Sequence, residues 1–156
     1  MLKMPWITFL FQGLPETIAS TAFCFAIIKL PLIWNLILRI GVIYGISAFS
    51  IRLLPISYGV HTIILIFILV VLLVSFTKCK LSLAFMAALT NMITVAASEF
   101  LLGALLNFLN ISFQELYKNQ WLWTLLGLPQ VLILLSLAFI LNYFNKQKTV
   151  RKDSCD

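Results

Sequence analysis

Apolar residues fill this chain in long blocks, and the informative positions are the few that interrupt them. Residues 53–77 contain no Lys, Arg, Asp or Glu, and neither do residues 119–145. Each block exceeds the roughly 20 apolar residues that carry a helix across about 30 Å of hydrocarbon. Read along the whole chain, the pattern predicts five transmembrane helices at about residues 6–28, 32–53, 58–76, 81–106 and 121–144. Three links are short: Lys29 to Pro31, "LLPISYG" and "TKCK". Short links make sequential helices neighbours, so the expected fold is all-α, a polytopic bundle spanning residues 1–144. The remaining residues, 145–156, form a basic tail too short and polar to fold alone.

Composition closes off the alternative of a soluble domain. Of 156 residues, 62% are hydrophobic and 10% charged, against roughly 25% charged in ordinary soluble domains. The first apolar stretch carries Glu16 halfway along, which does not fit the short h-region of a removable signal peptide. The three cysteines have no metal-ligand spacing and read as small apolar fillers.

Orientation follows from the basic residues near the span ends. Lys29, Lys78, Lys80, Lys146, Lys148, Arg151 and Lys152 fall on one side, and Lys3, Arg52 and Lys118 on the other. The richer side is expected to be cytoplasmic, which gives an N-out/C-in protein of the cell membrane. Trp6, Trp121 and Trp123 then anchor the outer interface and Trp34 the inner one. In the longest link, Ser112 to Glu115 matches a capping box, with Phe113, Leu116 and Tyr117 on one face. Both a short helix on the membrane surface and a plain connecting turn fit that link. Asn110-Ile111-Ser112 is a glycosylation pattern in a source that makes the modification.

Ionisable residues inside the spans are the candidate chemistry. Glu16, Arg39 and Glu99 each cost on the order of 2.5 to 3.5 kcal/mol in hydrocarbon on insertion scales, so each is expected to have a partner. Counted from Trp6 and Lys29, Glu16 and Arg39 both stand roughly 15 Å deep and are expected to pair at the midplane. Glu99, Arg52 and His61 share the outer layer, where Glu99 is expected to meet Arg52 or His61. Simpler readings stand beside these: Arg39 snorkelling to the cytoplasmic interface, Arg52 as an interfacial anchor, and His61 as a polar residue at a helix start. Asn91 and Ser98 join either group or hydrogen-bond a neighbouring helix.

Two near-copies of one tetrapeptide, "GLPE" at 13–16 and "GLPQ" at 127–130, sit inside apolar runs. Pro15 and Pro129 each remove a backbone hydrogen bond, and Gly13 and Gly127 lower the cost of bending. Spans one and five run in the same direction, which puts the two kinks at similar depth. With Gln12, Glu16 and Gln130 beside them they could line a shared cavity, since unpaired carbonyls at depth need protein or water. Two unrelated kinks fit the same residues.

Catalytic machinery is absent from the sequence. His61 lies toward the outer side and Cys24 and Cys79 toward the inner side, so no Cys-His pair forms. There is no H-E-x-x-H, Walker loop, Gly-rich dinucleotide turn or acidic metal cluster. No enzyme activity, cofactor, metal or nucleic-acid partner is expected; the lipid bilayer is the expected surrounding.

The ordered set "QGLPE" at 12–16, "IRLLPISYGVHTI" at 51–63, "SEF" at 98–100 and "LGLPQ" at 126–130 resembles the membrane-embedded sensor region of sporulation and quorum-sensing histidine kinases of Gram-positive bacteria, those with a GHKL ATPase half. The similarity covers nearly all of residues 5–144. The phospho-accepting helix and ATPase domain of that family have no counterpart, since the one histidine is His61. The resemblance implies a sensor-like module that signals through a kinase or regulator in the cytoplasm or membrane. The rival reading is a small transport component, either a substrate-binding subunit or a homo-oligomeric pore. A third is a scaffold whose charges only fix helix register.

Overall fold

The structure is a computed structural model that describes residues 9–53, 58–108 and 120–153. Among these residues every element is helical. A π-helical turn, Phe9–Gly13, leads into α1, Leu14–Ile28; α2 is Trp34–Arg52, α3 Tyr58–Thr77, α4 Leu81–Phe108 and α5 Gln120–Asp153. Five of the resulting spans are long and apolar enough to cross a membrane. Trp6, the glycosylation pattern, the capping box at Ser112 and Lys118 lie outside the described residues, and the side chains of Trp121 and Trp123 are likewise not described.

The least apolar span lies at the centre. Together the π-turn and α1 form that span, and 56% of it is buried inside the protein, against 28% or less for every other span. In lipid an apolar residue loses little by facing outward, whereas a polar one must be covered by protein. That rule draws α1, with Glu16, Thr17, Ser20, Thr21 and Cys24, inward. The most apolar span, α3, packs on α2 and α4 at the periphery.

Small residues let the backbones close on α1. Gly41 and Gly45 of α2 form a Gly-x-x-x-Gly face. A β-carbon on Gly41 would meet the Ile18 Cα at 2.9 Å, and one on Gly45 would meet Thr17 Oγ1 at 2.9 Å. Ala84, Ala87 and Ala88 do the same on α4, where the Cys24 thiol donates to the Ala87 carbonyl at 3.7 Å. Such small-residue seams replace the hydrophobic driving force that lipid removes.

Both turns at the other end of α1 and α3 put a lysine in the left-handed region, Lys29 at φ 64° and Lys78 at φ 53°. Lys29 caps α1, its N–H reaching the Phe25 and Ala26 carbonyls. Residues 30–33 are not helical, and the Ile33 N–H donates to the Pro31 carbonyl at 2.8 Å, so α2 begins at Trp34 and not near residue 32.

The tail differs from its expectation. Helix α5 continues without a break to Asp153, because extending an existing helix adds one hydrogen bond per residue fixed and Lys, Gln and Arg are good helix formers. At the membrane end of this extension Asn145 Nδ2 donates to the Ala26 carbonyl at 2.8 Å. That bond gives the Ala26 carbonyl, which also accepts from the Lys29 N–H at 3.2 Å, a second donor at the end of α1.

Candidate functional site

The two tetrapeptides meet. Helices α1 and α5 pack with residue numbers rising together: Gln12 lies against Gly127, Glu16 against Gln130, and Ala26 against Asn145. They therefore run parallel, as spans one and five of an odd-numbered bundle should. A β-carbon on Gly127 would overlap Cγ, Cδ and Nε2 of Gln12, so glycine at 127 creates the space in which the Gln12 amide sits. One turn further in, Gln130 Nε2 donates to Glu16 Oε1 at 3.3 Å. Gln130 is 4% exposed and Glu16 is half-buried, so this polar contact across the helix seam is partly buried.

The backbone around the two motifs is not equivalent. Pro15 is the second residue of α1, directly after the π-turn Phe9–Gly13, and with Gly13 also in the right-handed helical region the chain stays helical through the motif. Pro129 instead lies inside α5, which continues through it. The expected pair of matched breaks is therefore one π-turn and one uninterrupted helix, with Gly13 and Gly127 both buried.

Charges gather at the Gln12 end of this seam. Arg52 and Glu99 both stand within electrostatic range of Glu16, and Arg52 is also in range of His61. Arg52 ends α2 and is exposed, Glu99 is exposed on α4, and His61 is half-buried on α3. Glu16 is thus in range of both Arg52 and Glu99, and His61 joins the group through Arg52.

Glu16 and Arg39 do not pair: among the described residues no ion pair joins them. Gly45, not Arg39, is level with Thr17, which displaces Arg39 about 9 Å along the bundle from Glu16. The later start of α2, at Trp34, leaves Arg39 only five residues from the helix end. Its azimuth is also different. Ile37, Ile40, Gly41, Tyr44 and Gly45 face inward, while Arg39 is exposed and lines an outward-open groove of about 550 Å³ with Leu38, Val42, Ile43 and Phe76.

Among the described residues two buried side-chain acceptors have no donor, Gln12 Oε1 and Asn91 Oδ1. Asn91 is 1% exposed. Hydroxyls nearby are already satisfied by their own helices, Thr17 by the Leu14 carbonyl at 3.0 Å and Thr21 by the Thr17 carbonyl at 2.8 Å. These two amide oxygens therefore offer unused hydrogen-bonding capacity to an incoming group. Sequence reasoning missed Tyr44, which is buried within electrostatic range of Glu16, Arg52 and Cys24. The Gly41-x-x-x-Gly45 spacing around it was the available signal. Among the described residues no group of three or more His, Cys, Asp or Glu side chains is placed to hold a metal ion. No protein-family model, curated protein or solved structure matches this chain.

Proposed function

We propose that this chain is a non-enzymatic, sensor-like module of the cell membrane, oriented N-out/C-in, that binds a ligand at the seam between α1 and α5 and signals through a protein partner. The observation that carries this reading is the Gln12 side-chain oxygen, buried without a donor among the described residues, one turn from the partly buried Glu16–Gln130 hydrogen bond. A buried unpaired acceptor costs about 1–3 kcal/mol. A ligand with an N–H or O–H donor removes that cost, and by binding one arrangement of the seam better than another it shifts the bundle between them. The π-turn at Phe9–Gly13 is the compliant element. Helix α5 is the output rod, running as one helix from the level of Gly127 to Asp153, and its basic end is the surface offered to a cytoplasmic kinase or regulator. The resemblance to histidine-kinase sensor regions supports the same assignment.

Affinity purification in mild detergent tests it. A partner should be recovered in stoichiometric amount, be lost when residues 147–156 are removed, and be retained in Glu16→Gln protein. Absence of any such partner, together with solute uptake by proteoliposomes that Glu16→Gln abolishes, establishes the transport reading instead. The unpaired Asn91 oxygen deep in the bundle favours that second reading, because polar groups at depth also serve solute or proton paths. Cysteine accessibility at positions 52, 61 and 118, compared with 78 and 155, tests the orientation.

A further inference from the structure

Arg39 lacks a protein counter-charge among the described residues, and it lines an apolar groove. The groove lies between α2 and α3, with Leu38, Val42 and Ile43 on one wall and Phe76 on the other. All four of these side chains are exposed. Arg39 is exposed on the outward face of α2 near the helix start, where a guanidinium is drawn to the phosphates of the head-group layer.

Depth and charge say which anion. Arg39 stands five residues past Trp34, the first residue of α2, or about 7.5 Å along the helix. A guanidinium on its flexible stem reaches back from there to the head-group layer. Val42 and Ile43 lie one turn deeper on the same face, where an acyl chain would run. The turns at this end, residues 29–33 and 78–80, contribute Lys29, Lys78 and Lys80 and no carboxylate, and all three lysines are exposed. Such a rim repels the ammonium of a zwitterionic head group and attracts one whose net charge is negative.

We propose that the groove between α2 and α3 is a binding site for one anionic phospholipid, its phosphodiester held by Arg39 and an acyl chain laid along Leu38, Val42, Ile43 and Phe76. Arginine suits the role because its planar fork donates two parallel hydrogen bonds to a phosphate. The occupant completes the outward face of the bundle where the protein leaves a concavity.

The test is native mass spectrometry of the full chain released from nanodiscs containing equal amounts of phosphatidylglycerol and phosphatidylcholine, with circular dichroism to confirm helix content. Wild-type protein should retain one phosphatidylglycerol in preference to phosphatidylcholine. Arg39→Gln should lower that preference about fivefold, the effect of one cation near the surface, while Arg39→Lys keeps most of it. Val42→Trp, which fills the groove without altering charge, should lower retention of the lipid. The proposal is overturned if wild type shows no preference, if Arg39→Gln and Val42→Trp both retain phosphatidylglycerol as wild type does, or if Lys78→Gln with Lys80→Gln abolishes a preference that Arg39→Gln leaves intact. That last outcome would mean diffuse attraction at the rim.

Discussion

Gly127 presents a bare Cα to the side-chain amide of Gln12, so closely that any β-carbon at 127 would overlap three of that side chain's atoms. The contact joins the first and last described spans at the point where their Gly-Leu-Pro motifs coincide. Gly127→Ala should force Gln12 out of the seam and destabilise the bundle by about 1–3 kcal/mol, the usual scale for overpacking. Gln12→Ala in the same chain should restore most of the loss. Thermal unfolding in detergent of the two single variants and the double variant measures this, and simple additivity would mean the two residues do not touch.

Gly41 meets a harder wall. Its β-carbon would press on the backbone of Ile18, which cannot swing aside as an amide can. Gly41→Ala should therefore cost more than Gly127→Ala and should not be rescued by shortening Ile18 to Ala. The same unfolding assay decides it.

Glu16 and Gln130 offer a direct measure of coupling across the α1–α5 seam. Hydrogen bonds between membrane helices average about 0.6 kcal/mol and reach about 1.7. A double-mutant cycle with Glu16→Ala and Gln130→Ala should return a value in the upper part of that range, since Gln130 is buried. A coupling indistinguishable from zero would remove the hydrogen bond from the account of the site.

Lys29 and Lys78 are L-residues held at positive φ, a conformation that glycine adopts at less cost. Lys29→Gly should raise stability by about 1 kcal/mol or less, and Lys78→Gly should behave alike. Both changes also remove a basic residue from the side that the charge count assigns to the cytoplasm. Accessibility labelling should then find a larger fraction of molecules in the reverse orientation than in wild type.

The existence of the helices was legible from the charge-free blocks, and the span ends agree within a few residues apart from the tail. Which face of each helix turns inward was not. A soluble helix shows its buried face by the contrast of apolar and polar residues, but here both protein and lipid accept Leu, Ile and Val. The face is carried instead by small residues: Gly41 and Gly45 on α2, and Ala84, Ala87 and Ala88 on α4. Depth failed for a different reason. Counting from Lys29 treated the link as helix, while the non-helical segment 30–33 moves the start of α2 to Trp34 and brings Arg39 close to the surface. Glu16 instead lies within electrostatic range of Arg52. The similar depth of the two Gly-Leu-Pro motifs in parallel spans was legible because it was counted within continuous apolar runs, but the sequence fitted a shared pocket and two unrelated kinks equally well.

The burial of α1 against α5 has a bearing on how the protein is made. A ribosome delivers α1 to the bilayer four helices before its main partner exists, and during that interval the most polar span of the chain faces lipid with Glu16 and Gln12 uncovered. Maturation must therefore end with a late docking event, and cells short of insertion or quality-control factors should accumulate the nascent chain as a substrate for membrane proteases.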